Sequence, residues 1–187
     1  MEKIYKSGAR IKKIINGENC FYICGIFPSD GYISKIDGEG NLIWENFYSN
    51  VQTNDIYFDL NSNSVMVAGA IYDNLLYGYV LKLDTAGNTL TQKQFKILRQ
   101  GTNCTHIVKY KTDYFIAGTS LDSNIAYSVS YFVRVTSNIV TTYKKIFSST
   151  KDETVQEAVG RSRRKWHCSD EQIQEVAARI ARGGTTS

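Results

Sequence analysis

"NCFYICG" (residues 19–25) returns as "NSVMVAG" (63–69) and again as "TDYFIAG" (112–118). The closing glycines, Gly25, Gly69 and Gly118, stand 44 and 49 residues apart, a period typical of repeated structural units. β-Branched and aromatic residues dominate each copy, as suits a pleated, half-buried surface. After each glycine comes a variable polar stretch, then "YISKIDGEGNLIWENF" (32–47), "YVLKLDTAGNTLTQKQF" (79–95) or "YFVRVTSNIVTTYKKIF" (131–147). In the first two, Asp37 and Asp84 are followed by Gly40-Asn41 and Gly87-Asn88, a tight-turn signal between apolar runs and hence a β-hairpin. The third keeps only Thr136 and Asn138, so its turn signal is degenerate.

Each unit therefore reads as four antiparallel strands: a first strand (11–15, 55–60, 105–110), the glycine-ending strand, the Lys-x-Asp strand and a closing strand with an aromatic near its end. The pattern resembles the "aG…KlDxxGnxxW" blade repeats of bacterial β-propellers over about residues 1–150. The expected fold is all-β, about three four-stranded propeller-like blades with a C-terminal α-helix. The units fall at about 8–50, 51–100 and 101–150. The small residue and glycine that close the second strand (Cys24-Gly25, Ala68-Gly69, Ala117-Gly118) imply close backbone approach near a crowded axis.

A chain of 187 residues suffices for one domain with a contiguous core. The formal net charge of +4 creates no strong field for nucleic acid or an anionic membrane, and neither partner is expected. No signal peptide or membrane-spanning stretch is read, which favours a cytoplasmic or virion location. Of the four cysteines, Cys20 and Cys24 lie four apart on one extended strand, roughly 13 Å from each other and too far for a mutual bridge. Free thiols are expected.

At the N-terminus "EKIYKS" (2–7) matches a closing strand, and "STKDETVQEAV" (149–159) matches the start of a further unit. Three units are fewer than the four of the smallest usual propeller, so open sheet edges are expected to be covered by other copies of the chain or by a partner protein. Beyond Lys151 the composition changes: none of the 13 Asn and one of the 23 aromatics fall there. Residues 151–168 read as a basic linker and 169–187 as a helical tail. Ser169 and Gln172 form a capping box, and Ile173, Val176, Ala177 and Ile180 form one apolar stripe for docking on a partner. Arg161, Arg163, Arg164 and Lys165 before this helix resemble the start of a resolvase-type helix-turn-helix. The likeness covers about 27 residues and includes no recognition helix.

Ionisable chemistry is sparse. Cys104 with His106, and His167 with Cys168, lack the paired spacing of a zinc site, and no phosphate loop, serine elbow or calcium loop is present. Asp37 and Asp84 suit bonding to turn amides. No cofactor, metal or catalytic residue is expected. The function expected is a non-enzymatic binding or assembly module, with a carbohydrate or protein ligand held at rim loops by Tyr32, Tyr72, Asn74, Tyr77, Asn124 and Tyr127. A structural subunit of a phage or other large assembly is one alternative. An artificial or truncated fusion with an unrelated tail is another.

Overall fold

The computed structural model describes residues 8–122 and 125–147. Among these residues the chain is all-β, with no helix. The strands are β1 (Arg10–Asn16), β2 (Cys20–Phe27), β3 (Asp30–Asp37), β4 (Leu42–Tyr48), β5 (Val51–Asp59), β6 (Ser64–Asp73), β7 (Leu75–Asp84), β8 (Thr89–Phe95), β9 (Gly101–Tyr110), β10 (Asp113–Asp122), β11 (Ile125–Val135) and β12 (Thr141–Phe147). Neighbouring strands pair antiparallel within β1–β4, within β5–β8 and within β9–β12.

Separate propeller-like blades do not form. Strands β1–β4 make one four-stranded sheet, whereas β5–β12 make a single eight-stranded one, and neither closes. The second and third units are joined by a parallel bridge from Leu76 of β7 to Gly101 of β9, while the rest of β7 pairs with β8. Edge pairing of this kind leaves no periodic mark in the sequence, because it depends on where residues 96–100 deliver β9. The expected C-terminal helix, with its stripe Ile173, Val176, Ala177 and Ile180, lies outside the described residues.

Alternation along the strands gives every unit two apolar faces. Tyr22, Cys24 and Ile33 of the first unit pack against Val51, Ile56, Val65, Val67, Tyr79 and Leu81 of the second. On the opposite side of the second unit, Met66, Ala68 and Val80 pack against Cys104, Ile107, Ile116, Tyr131 and Val133 of the third. The eight-stranded sheet thus folds back on itself at the β7–β9 junction, and the units stack in chain order. Stacking explains why the strands are apolar on both faces, unlike a sheet with one side in water.

The repeated glycines have a common cause. Each first strand carries a β-bulge opposite the small–Gly pair, between Ile11 and Lys13, between Thr53 and Asp55, and between Cys104 and His106. The bulge drives a backbone carbonyl of that strand toward the glycine. A Cβ on Gly25 would lie 2.3 Å from the Arg10 oxygen, on Gly69 1.9 Å from the Gln52 oxygen, and on Gly118 2.0 Å from the Asn103 oxygen. The close approach expected from sequence is real, but the partner is the neighbouring strand of the same unit.

Candidate functional site

Thr53 stands opposite Gly69 in its own unit and reaches into the preceding one. Its hydroxyl accepts from the Gly25 amide at 3.0 Å and donates toward the carbonyls of Gly25 and Tyr32. Cys104 stands at the equivalent position one unit later, opposite Gly118, where its thiol accepts from the Tyr131 hydroxyl at 3.3 Å. Burial pushes this thiol up to about 12, and burial, reinforced by the Asp55 charge, does the same to Cys24. Both are protonated at neutral pH and unsuited to nucleophilic work. Cys20, Cys24 and Cys104 are free and buried.

Two buried carboxylates link the units. Asp55, 3% exposed, meets the Lys13 ammonium of the first unit at 2.6 Å, the Ile56 amide of its own strand at 2.9 Å and the Ile107 amide of the third unit at 2.8 Å. Asp59 accepts from Lys109 at 2.5 Å, from Tyr114 at 2.5 Å, and from the Ser62 hydroxyl at 2.7 Å. Burial acts to raise the Asp59 carboxyl, but the bonds from Lys109, Tyr114 and Ser62 outweigh it and hold it down to about 2. Desolvation, together with the Asp59 charge and hydrogen bond, drives the Tyr114 phenol well up. Every oxygen here is engaged in holding the stack, so these groups serve structure and have no face turned to a substrate.

The turn aspartates are engaged as well. Asp37 takes the amides of Glu39 at 3.0 Å and Asn41 at 2.7 Å and the Asn41 side chain at 2.8 Å; Asp84 takes those of Ala86, Asn88 and the Asn88 side chain at 2.9, 2.8 and 2.9 Å. The next unit's hairpin is held from outside. Lys35 and Trp44 both donate to the Thr85 carbonyl, at 3.1 and 3.0 Å, and Asn46 to the Gly87 carbonyl at 2.7 Å. Lys82 likewise donates to the Ser137 carbonyl at 3.2 Å.

Cys104 and His106 do not form a pair. The bulge at Thr105 sends Cys104 into the interface and leaves His106 exposed, its Nδ1 2.9 Å from the Thr105 hydroxyl. Among the described residues no group of three or more His, Cys, Asp or Glu could hold a metal, and there is no helix long and apolar enough to cross a membrane.

The tyrosines expected to form a rim site are dispersed. Tyr32 is 3% exposed, with its ring 5.4 Å from that of Phe47, and offers no face to a ligand. Tyr72, 61% exposed, sits at the end of β6 next to the turn at Asn74, whose φ is 56°. Tyr77 is half-buried under the Lys96 ammonium, 5.1 Å from the ring centre. In this hairpin Tyr72 pairs with Leu76 and Tyr77 with Ile71, so alternation sends the two rings to opposite faces. Asn124 lies outside the described residues, and Tyr127 is described only as part of β11.

Sequence reading missed Asp55, Asp59 and Lys109. Their signal was weak: charges at inward positions of strands otherwise apolar. It also missed the exposed isoleucines of β1, Ile11 at 45% and Ile14 at 56%. Compared with protein-family models and with curated proteins, the chain matches none.

Proposed function

We propose that this chain is a non-enzymatic assembly module, a stack of β-units that associates with other protein surfaces as part of a larger structure. One observation carries the reading: both edges of the first sheet keep large apolar side chains in water. On β1 these are Ile11 and Ile14; on β4 they are Leu42 at 47%, Ile43 at 52% and Phe47 at 43% exposure. Large apolar side chains exposed on edge strands favour association. The engagement of Asp37, Asp55, Asp59 and Asp84 in structural bonds argues against a catalytic role for them.

Light scattering of the full chain across a concentration range tests this. The mass is expected to rise above the 21.1 kDa of one chain. A strictly monomeric chain would overturn the reading. A second reading, carbohydrate binding at the β6–β7 turn, is favoured only by the exposed Tyr72 beside Asn74. It requires that Tyr72→Ala abolish retention on immobilised oligosaccharides.

A further inference from the structure

The two internal interfaces are built alike, and the outer ends of the stack carry their two halves. In register, Ile11, Thr53 and Cys104 all stand opposite the repeated glycine, and Ile14, Ile56 and Ile107 occupy the next equivalent position. In β5 and β9 these side chains enter the preceding unit. A Cβ on Gly31 would lie 3.0 Å from Thr53 Cγ2, and one on Gly78 3.0 Å from Cys104 Sγ. Thr53, Ile56 and Cys104 are 0% exposed and Ile107 is 4%. In β1, which has no preceding unit among the described residues, the same two places hold Ile11 and Ile14, about half in water.

At the other end Phe115 and Phe132 are buried, but one strip of the receiving surface is exposed. Gly31 pairs with Ile26, Gly78 with Ala70 and Ser130 with Thr119, so Ser130 and Thr119 hold in the third unit the place where Thr53 and Cys104 are received in the first and second. Gly31, Gly78 and Ala70 are buried there, but Ser130, Thr119 and neighbouring His106 are exposed. Among the described residues, one chain thus carries an exposed inserting strip at its first unit and an exposed receiving strip at its third.

We infer that the partner is a second copy of this chain, with Ile11 and Ile14 of one copy seated on the Thr119–Ser130 strip of the next. This rests on the assembly reading and names its partner. The contact continues a geometry the molecule already uses twice, and it is head-to-tail, since different surfaces meet. Ile11 brings an apolar side chain where Thr53 brings a hydroxyl, so the contact depends on hydrophobic burial more than on hydrogen bonds.

The test uses two full-length variants with substitutions at exposed positions, Ile11→Glu/Ile14→Glu and Thr119→Arg/Ser130→Arg, each checked for native circular dichroism. The first blocks the inserting strip, the second the receiving strip. Each alone is expected to scatter as a monomer where the unaltered chain associates. Mixed, they retain one intact strip each and are expected to form a one-to-one dimer. Variants that associate like the unaltered chain, or a mixture that stays monomeric, would overturn the inference. If the unaltered chain still associates in that case, the assembly reading stands and this interface does not; if it never associates, both fall.

Discussion

The hairpins that begin at Asp84 and Thr136 follow the same backbone course with different chemistry. The Gly87 amide donates to the Asp84 carbonyl at 3.2 Å and the Asp84 amide to the Asn88 carbonyl at 3.0 Å; in the other hairpin the Ile139 amide donates to the Thr136 carbonyl at 2.9 Å and the Thr136 amide to the Val140 carbonyl at 3.0 Å. Both turns need a left-handed residue at the fourth position. Gly87 supplies it with φ of 91°, whereas Ile139 is forced to 57°, where a β-branched residue is an outlier costing about 1–2 kcal/mol. Ile139 is only 2% exposed, in the cluster with Met66, Tyr114 and Val135, and its burial contributes about 1.5–3 kcal/mol, which offsets the strain.

The neighbouring unit explains the exchange. Trp44 lies over the first of these hairpins, and a Cβ on Gly87 would lie 2.9 Å from its Cδ2. Trp44 pairs with Lys35, as Thr91 pairs with Lys82, so Thr91 holds the place of Trp44 in the next unit. A large residue above goes with glycine below, and a small one above leaves room for isoleucine. The lesson is that the turn geometry belongs to the repeat, while the residues that fill it are chosen by the interface.

The comparison can be broken most sharply at Ile139. Ile139→Ala removes the buried side chain but keeps the unfavourable φ, so urea unfolding is expected to show a loss of about 3 kcal/mol. Ile139→Gly relieves the backbone and should cost about 1 kcal/mol less than the alanine variant, an inversion of the usual order. Alanine faring better than glycine would show that no strain is stored there. Gly87→Ala should cost about 2 kcal/mol, from its φ and from the Trp44 ring together. The swap Thr91→Trp with Ile139→Gly is expected to be more stable, by about 1 kcal/mol, than the sum of its single changes; additive effects would break the proposed complementarity.

The smallest effect separates the turns by pH. The Asn88 side chain, then its amide, hold the Asp84 carboxyl below its usual range. Its contribution is therefore full above the unfolded-state value near 3.8 and is lost as pH falls through the lower folded one. Asp84→Ala is expected to cost about 1 kcal/mol at pH 7 and progressively less below pH of about 4. Thr136→Ala removes only hydroxyl bonds to the Asn138 and Val140 amides, at 3.3 and 3.2 Å, and its smaller cost should not change with pH in the same denaturation series.

Much of the local structure was legible. The alternation around Cys24-Gly25, Ala68-Gly69 and Ala117-Gly118 marked strands, and Asp-x-x-Gly-Asn marked two hairpins, because both signals act within a few residues. The third hairpin was obscured, since Ile139 is stabilised by the Met66 and Tyr114 side chains of distant strands and not by its own sequence neighbours. The rim site was misjudged for Tyr32 for a related reason: its burial comes from packing beside Ile23 and Phe47, which placing Tyr32 in a rim loop did not show.

By itself the sequence determined that the described residues are β-strands, where two of the three hairpins turn, and that a glycine must stand in each second strand, though inside it and not at its end, because these follow from side-chain alternation and local backbone sterics. The tertiary structure decided that the second and third units share one sheet, that Asp55 and Asp59 tie three units together, and that Ile11 and Ile14 are left in water while Ile56 and Ile107 are not. Those outcomes depend on which unit lies on the other side of a strand, and a residue's own neighbours in sequence carry no record of it.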